Sequence, residues 1–210
     1  MISSLGFARG RLLEAIVTTY NCDGTPNAAP IGVTARGEAV LEMRVHTDTD
    51  TYANLLKRRG CVVNLIHDPY LFLKGALTGH GRGGAEPEVG PEEVAKAGSV
   101  DAPYLEKAGA YIEAVLLEHK EYLKRDQYRK SEASVILCRV EKATVKGLPQ
   151  GPNRGLNHAI ELAIELTRGR RDGMARHMEV MKKTLPQEEY RRIEVFLRSL
   201  GYISSPGPSP

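Results

Sequence analysis

The sequence has few aromatic residues and little excess charge. It contains no tryptophan, and aromatic residues make up only 6% of its 210 residues. That leaves little material for stacking on nucleic-acid bases. The sequence has 29 Lys plus Arg and 26 Asp plus Glu, which gives a net charge of only +3. It therefore lacks the dense basic surface that phosphate neutralisation requires. Both deficits argue against a nucleic-acid partner.

Long apolar runs and paired cysteines are also missing. No apolar run approaches the roughly 20 residues that a membrane-spanning helix needs. The segment Met1–Arg11 lacks the apolar core of a signal peptide. Cys22, Cys61 and Cys138 lie far apart and form no Cys-x-x-Cys pair. We therefore expect a soluble cytoplasmic protein with three free thiols and no membrane partner.

Several catalytic and metal-binding motifs are absent too. There is no Gly-x-Ser-x-Gly elbow, Walker sequence or His-Glu-x-x-His arrangement, and His46–Asp50 lacks the later glycine and glutamate of a calcium loop. We predict no metal site. Gly79–Gly84 formally matches the dinucleotide fingerprint G-x-G-x-x-G, but Pro87 and Gly90 follow where a helix has to begin. A surface loop is the favoured interpretation of that segment.

The first part of the chain predicts β-strands. Glu14–Tyr20, Asn27–Ala35 and Ala39–Val45 are rich in β-branched or alternating apolar residues, and short turns separate them, as in an antiparallel meander. Thr51–Arg59 is predicted as a helix, because a hydroxyl precedes it, basic residues end it and a glycine follows. A buried strand, Cys61–Ile66, comes next.

The middle of the chain is rich in glycine and gives weaker signals. We expect a loop over 79–90 and a short helix at Pro91–Ala97, whereas Tyr111–Glu118 fits either a helix or a strand. Ala133–Lys146 is strand-like throughout. About six strands with one inserted helix predict a small barrel.

Beyond Pro152 the pattern becomes helical. Three apolar stripes have helical spacing: Leu156, Ile160 and Ile164; Met174, Met178 and Met181; and Ile193, Phe196, Leu197 and Leu200. Thr184 is predicted to start the last helix, because Pro186 and Gln187 follow it. Such short helices must pack on the barrel or on a second subunit. We expect a barrel domain over 1–148, a helical extension over 149–203 and a disordered tail over 204–210.

A hydroxyl-rich turn precedes the first predicted helix. Thr47, Thr49 and Thr51 lie where the helix offers unpaired N–H groups and the positive end of its dipole. A phosphate would be well placed there. The alternative is that one threonine caps the helix and the others are ordinary turn residues.

Four segments in order resemble a known fold family. They are EAIVTT from Glu14, NAAPIGV from Asn27, TDTYANL from Thr49 and VVN from Val62, and PNRGLN from Pro152 resembles the family's carboxy-terminal extension. The chain resembles FMN-binding split-barrel proteins, and in particular a prokaryotic flavin-reductase-like family of unknown function. The resemblance implies a mainly β fold with α-helices: an FMN-binding split β-barrel plus a carboxy-terminal helical extension.

The resemblance also implies a cofactor, FMN, and the residues that bind it. Ala28, Ala29, Pro30, Ile31 and Gly32 would line the isoalloxazine ring, Thr47, Thr49, Thr51 and Asn54 would contact the phosphate, and Asn64 would also belong to the cofactor site. Asn153 and Arg154 would complete the site or bind an anionic substrate. Relatives often carry a basic residue in the phosphate turn, where this chain has Asp48 and Asp50. The resemblance further implies a homodimer.

Two flavin-based functions follow from the resemblance. The first is an FMN-dependent oxidoreductase of the flavin-reductase type, which takes a small-molecule electron donor such as a reduced nicotinamide or a deazaflavin. The second is a non-catalytic carrier or sensor that binds FMN or a related phosphorylated cofactor. A structural module built on the helical tail is the third reading, and deazaflavin or haem in place of FMN also stays open.

Overall fold

The computed structural model describes residues 2–8, 10–78, 87–125, 130–147 and 153–203. The chain forms two compact units. One contains Met1–Ile66 and Thr78–Gln150, and the other contains His67–Leu77 and Gly151–Pro210. The helical unit therefore takes in a segment that lies far from the tail in sequence. The Gly79–Gly84 motif and the tail 204–210 fall outside the described residues.

The first unit is a closed antiparallel barrel of six strands. In chain order its strands are β1 (Leu12–Tyr20), β2 (Pro26–Ala35), β3 (Val40–His46), β4 (Gly60–Leu65), β7 (Ala110–Arg125) and β8 (Lys130–Val145). They close in the order β1-β2-β3-β8-β7-β4. The predicted small barrel is confirmed. Helix α1 (Asp50–Arg58) follows β3, and β5 (Val94–Lys96) pairs with β6 (Pro103–Leu105) in a separate ribbon.

The barrel core follows from the alternation of the strands. On β1, Ala15 and Val17 point inward, and they pack with Val33, Leu41 and Ile136 from other strands. Helix α1 adds Tyr52 and Leu55 to the same core. Cys61 and Cys138 are buried inside it, and all three cysteines are free thiols.

Strands β2 and β3 part from each other before either one ends. Their ladder consists of three pairs, from Val33↔Met43 to Ala35↔Leu41, whereas β1 and β2 pair from Leu12↔Thr34 to Tyr20↔Pro26. Beyond the ladder, β3 continues along β8 alone. The segments 26–32 of β2 and 44–46 of β3 therefore have no pair with each other in the described ladder, and we call the space between them the β2–β3 split.

The described residues of the helical unit form four helices. They are α2 (Pro69–Leu77), α3 (Arg154–Thr167), α4 (Met174–Thr184) and α5 (Gln187–Ser199). Its core contains Leu73 and Leu77 of α2 together with Leu162, Met181 and Leu197 of the other helices. Within the described residues, no helix is both long and apolar enough to cross a membrane.

Two local predictions were wrong, and in both cases tertiary packing decides the structure. Pro91–Ala97 is not a helix: a single 3-10 turn, Pro91–Glu93, leads into β5, because pairing with β6 outweighs the helix propensity of this segment. Thr184 does not start α5 but ends α4, where its hydroxyl donates to the carbonyl of Val180. Helix α5 begins at Gln187 with Pro186 as its N-cap residue.

Three further elements refine the sequence-based picture. Tyr111–Glu118, left open above, is part of strand β7. Helix α2 was not predicted. On α3 the buried face contains Leu156 with Ala159, Leu162, Ala163 and Leu166, whereas Ile160 and Ile164 are only half-buried. The buried face is therefore rotated from the predicted stripe, because alanines allow close packing between helices.

Candidate functional site

The backbone of β2 offers hydrogen-bonding groups to the β2–β3 split. Arg36 donates to the carbonyl of Val40 across the β2–β3 hairpin, and Asn21 donates to Thr25 across the β1–β2 hairpin. Because antiparallel strands alternate, even-numbered residues of β2 point their N–H and C=O groups towards β3, and odd-numbered ones towards β1. Pro30 and Gly32 therefore direct backbone groups towards β3. Gly32 lies next to the last described pair of the β2–β3 ladder, Val33↔Met43, and Pro30 lies beyond it.

The five residues predicted to line a flavin ring do not share one surface. Ile31 packs against the barrel core and Ala29 has the same inward parity, whereas Ala28, Pro30 and Gly32 point outward. Ala28 is only 1% exposed, while Pro30 and Gly32 are half-buried. Ala29 and Ile31 are half-buried as well, so Pro30 and Gly32 are the accessible residues on the outward side of β2 only.

An exposed leucine, which sequence reasoning missed, lies over Gly32. Leu12 of β1 is 55% exposed, and a Cβ added at Gly32 would approach Leu12 Cδ1 to 2.9 Å. Only glycine leaves the leucine in this position without displacement. On this outer face the register places Glu14, which is exposed, directly opposite Gly32, and Ile16 opposite Pro30. The alternation of β1 was the available signal, because it directs Leu12 away from the core.

The threonine turn lies at the end of β3, on the other side of the split. Thr49 is the N-cap of α1: its hydroxyl accepts from the N–H of Tyr52 at 3.4 Å and donates to the carbonyl of His46 at 2.7 Å. Thr47 donates its backbone N–H to the carbonyl of Glu132 at 3.2 Å. In the described part of the chain, its hydroxyl has no hydrogen-bond partner. Thr47 thus keeps a hydroxyl for a ligand, whereas that of Thr49 is engaged.

Thr51 and Asn54 belong to a buried polar network beneath this turn. Asn27 donates to the hydroxyls of Thr51 and Thr19, both at 3.0 Å. Asn54 donates to Thr19 at 3.0 Å and to Asn21 at 2.8 Å. Thr51 is 2% exposed and Asn54 is 4% exposed. The structure thus brings these two predicted phosphate contacts beside the turn, but as side chains that anchor α1 to β1 and β2.

Asn64 lies on the outer face of the barrel wall and is fully buried. Its amide donates to the carbonyl of Ile16 at 2.9 Å and to the hydroxyl of Thr18 at 3.0 Å. Its carbonyl accepts from the N–H of Leu105 at 2.8 Å. These contacts fasten the segment around β6 to β1 and β4. They account for a buried asparagine without a ligand.

Asn153 and Arg154 lie in the helical unit. Asn153 is the N-cap of α3, because its side-chain oxygen accepts from the N–H of Leu156 at 3.2 Å. Arg154 is the first residue of that helix, and its side chain is exposed. A contact of either residue with a phosphate or a substrate stays a prediction.

The charges near the split are mixed. Asp48 and Asp50 flank Thr49, but Arg44 lies on the outward side of β3, three residues before Thr47, with an exposed side chain. Among the described residues, the guanidinium of Arg44 forms no ion pair. Arg44 therefore offers a positive charge that the turn itself lacks. Its position within a strand concealed this role from motif reasoning.

A titratable group lies directly behind the turn. The Tyr52 phenol donates to the carboxylate of Glu121 and lies 3.3 Å from His119 Nδ1. Burial, followed by the hydrogen bond and charge of Glu121, raises the pKa of Tyr52 to about 12. The phenol is therefore neutral at physiological pH. Among the described residues, no group of three or more His, Cys, Asp or Glu side chains is arranged to hold a metal ion.

Solved structures share this architecture. An FMN-bound protein from Methanosarcina mazei, assigned to the DUF447 family, is 24% identical and aligns over 95% of this chain and 100% of its own, with a TM-score of 0.70. Nitrilotriacetate monooxygenase component B from Bacillus cereus aligns over 68% of this chain and 74% of its own at 17% identity, with a TM-score of 0.50. Flavoredoxin of Desulfovibrio vulgaris (Miyazaki F) aligns over 68% and 80% at 19% identity, also with a TM-score of 0.50.

The predicted split-barrel fold is confirmed by these likenesses. The family assignment rests on the sequence itself. Residues 13–145 match the family model described as the amino-terminal domain of a protein of unknown function, DUF447. This match covers more than half of the chain, from the second residue of β1 to the end of β8. The chain therefore belongs to the DUF447 family, and its barrel has the split-barrel fold.

Proposed function

We propose that this protein binds FMN at the β2–β3 split and acts as an FMN-dependent oxidoreductase of the flavin-reductase type. The observation that carries the proposal is the FMN bound to the Methanosarcina mazei member of the same family, which aligns with 95% of this chain. The residues at the split fit such a ligand. They combine an exposed leucine, Leu12, a segment of β2 beyond the β2–β3 ladder and a helix amino terminus within one unit.

The phosphate would bind at the threonine turn. The Thr47 hydroxyl and the first N–H groups of α1 supply donors, and the positive end of the helix dipole favours an anion. Arg44 supplies the charge that offsets Asp48 and Asp50. The buried network holds this turn against β2, because Asn27 bonds Thr51 directly.

The ring would lie against Leu12, Pro30 and Gly32. About 10 Å of strand separates Asn27, which is tied to the turn, from Pro30. An extended ribityl chain with its phosphate covers a similar distance. When bound, FMN supplies hydride acceptance at its N5 atom, so the reaction makes no demand for a protein acid or base. The chain's residues bind the cofactor, orient it and leave one ring face accessible to an electron donor.

We also infer a homodimer. Strand β7 carries two exposed leucines, Leu117 at 46% and Leu123 at 51%. Covering such residues by a second copy would remove apolar surface from water. Light scattering coupled to size-exclusion chromatography tests this, and a monomeric mass would refute it.

The first experiment is an FMN titration followed by flavin fluorescence. We expect saturable binding at about one FMN per chain, and a loss of about tenfold or more in Arg44→Ala, which removes one charge-assisted contact. Lys107→Ala, which removes an equally exposed cation distant in sequence, is the matched control and should bind as the wild type does. An absence of FMN binding would refute the proposal.

The second experiment separates an oxidoreductase from a carrier. The FMN-loaded protein is mixed anaerobically with reduced nicotinamides or a reduced deazaflavin, and the flavin absorbance is followed by stopped flow. Bleaching by one of these donors is the expected outcome. Tight FMN binding without bleaching by any donor would instead support the carrier function.

A further inference from the structure

Two histidines of the helical unit face each other between α3 and α4. The Nδ1 atoms of His158 and His177 lie 2.9 Å apart, and the ring planes meet at 59°. On the other side of its ring, Nε2 of His177 lies 3.6 Å from Oε2 of Glu165, a second residue of α3. The side chain of His177 is only 11% exposed. His177 therefore lies between two partners on the neighbouring helix, an imidazole and a carboxylate.

The distance between the two Nδ1 atoms limits the number of protons that the pair can carry. At 2.9 Å, one nitrogen must donate an N–H and the other must accept it with a lone pair. A neutral pair meets this condition, and so does a pair with one added proton, because one Nδ1 stays bare. When both rings are imidazolium ions, both Nδ1 atoms carry a hydrogen. Two facing donors and two like charges then oppose the contact.

Glu165 provides an alternative partner for a charged His177. Its Oε2 atom is buried and has no hydrogen-bond partner among the described residues, because the 3.6 Å to His177 is too long for a hydrogen bond. A Cβ at Gly173 would lie 2.5 Å from this oxygen, so the glycine lets the carboxylate approach the start of α4. Arg170 lies 3.8 Å from the other oxygen. A short movement of an imidazolium towards Glu165 would gain a hydrogen bond to an opposite charge.

We propose that His177 is a pH-dependent switch between α3 and α4. It bonds His158 while the pair carries at most one added proton, and it leaves His158 for Glu165 when both rings are protonated. The protons come from the solvent, and no covalent bond of the chain changes. The switch belongs to the helical unit and does not depend on FMN.

The surroundings of His158 fix the direction of the pH dependence. Burial lowers the pKa of His158 most, followed by the charges of His177 and Arg176 on α4; Glu161 on α3 raises it, and Arg154 lowers it. The unfolded chain therefore takes up this proton more readily than the folded chain does. The stability that the pair contributes is full well above pH 6.5, the ordinary pKa, and is lost as the pH falls below it.

The other two helices of the unit do not contribute to this shift. The only charged residue of α2 is Lys74. In the described part of the helical unit, neither Lys74 nor a charged residue of α5 is among the groups that shift the pKa of His158. The response to acid is therefore set by the contact between α3 and α4.

The decisive test is a pH titration of the wild-type protein, with ¹⁵N-labelled histidines and EDTA present, followed by NMR of the ring nitrogens. We expect His158 and His177 to take up protons in two separate steps. At the second step, hydrogen exchange of the α4 amides, corrected for its intrinsic pH dependence, should accelerate by about tenfold or more relative to β1. Titration of both rings in one independent step, unchanged exchange in α4, or equal acceleration in α4 and β1 would each overturn the proposal.

Matched variants provide the second arm. His177→Gln removes one of the two titrating rings, so the acid-induced acceleration of exchange in α4 should disappear. His67→Gln removes an exposed histidine of the same unit and should respond to acid as the wild type does. Glu165→Gln removes the charge that receives His177 and should move the second protonation to lower pH. An unchanged acid response in His177→Gln would contradict the switch. If that variant does not fold, the titration of the wild-type protein still decides.

Discussion

Asn64 provides the most quantitative test of the barrel's construction. It is fully buried, and its side chain connects β1, β4 and the amide of Leu105. In Asn64→Ala, the carbonyls of Ile16 and Val62, the hydroxyl of Thr18 and the N–H of Leu105 lose this partner together. The family resemblance assigned Asn64 to a cofactor site, whereas its contacts indicate a structural role.

The size of the effect follows from these bonds. Each hydrogen bond contributes about 0.5–1.5 kcal/mol net, and a buried group left unpaired costs more. Four contacts are lost, but two amide hydrogens serve three of them, so we expect about 2–4 kcal/mol. This is a large part of the roughly 5–15 kcal/mol by which a domain is stable. With a urea m-value of about 2 kcal/mol per molar, the midpoint should fall by about 1–2 M.

The assay is urea unfolding followed by circular dichroism, together with hydrogen exchange of the peptide that contains Leu105. Exchange should accelerate most in the segment 97–105, which Asn64 fastens. Asn157→Ala, an exposed position in the helical unit, is the control and should change stability by no more than about 0.5 kcal/mol. A stable Asn64→Ala with weakened FMN binding would refute the structural account and restore the cofactor role.

Three further predictions address the turn, its tyrosine and the helical unit. Thr49→Ala removes the N-cap of α1 and should cost about 1 kcal/mol in urea unfolding, whereas Thr49→Ser should retain most of that stability. Folding raises the pKa of Tyr52 from 10.0 to about 12, so the contribution of the neutral phenol to stability is full below pH 10 and should be lost as the pH rises towards 12. In Tyr52→Phe, the free energy of unfolding should depend less on pH over this range. An alkaline stability profile that is the same in the variant would contradict the prediction. Gly155→Ala would bring a Cβ to 2.4 Å from Leu185 Cδ2 and should destabilise the helical unit by about 1–3 kcal/mol. A Cβ at Gly98 would have no atom within 4 Å, so Gly98→Ala should leave the stability unchanged. Thermal melts of both variants provide the comparison.

The parts of the fold that could be predicted depend on local signals. Strands β1 to β3 show alternating apolar and polar residues within their own length. The hydroxyl of Thr49 is the N-cap of α1, which was one of the two interpretations of the threonine turn. Helix α2 has a start signal as well, because Asp68 precedes Pro69 and its carboxylate accepts from the N–H of Leu71 at 3.0 Å, but its interior does not identify it as a helix. Its sequence, PYLFLKGAL, is mostly apolar, and a short apolar run has no periodicity that separates a helix from a strand.

The candidate site was harder to predict because its partners are distant in sequence. Asn54 and Thr19 lie 35 residues apart, and Asn64 and Leu105 lie 41 apart. A motif can indicate that an asparagine is functionally or structurally important, but it cannot distinguish a residue that contacts a ligand from one that forms buried structural hydrogen bonds. The role of Pro30 and Gly32 likewise depends on where the β2–β3 ladder stops, and no short segment encodes that.

The interrupted order of the helical unit has a consequence for synthesis on the ribosome. Leu73 and Leu77 of α2 are complete long before their packing partners on α3 to α5. At about 5–20 residues per second, roughly 6–24 s pass between the synthesis of Leu77 and that of Leu197. During this interval the strands of the barrel emerge while α2 still lacks its neighbours. Nascent chains arrested before Arg154 should therefore expose α2 to chaperones and proteases, and release of the finished chain should end that exposure.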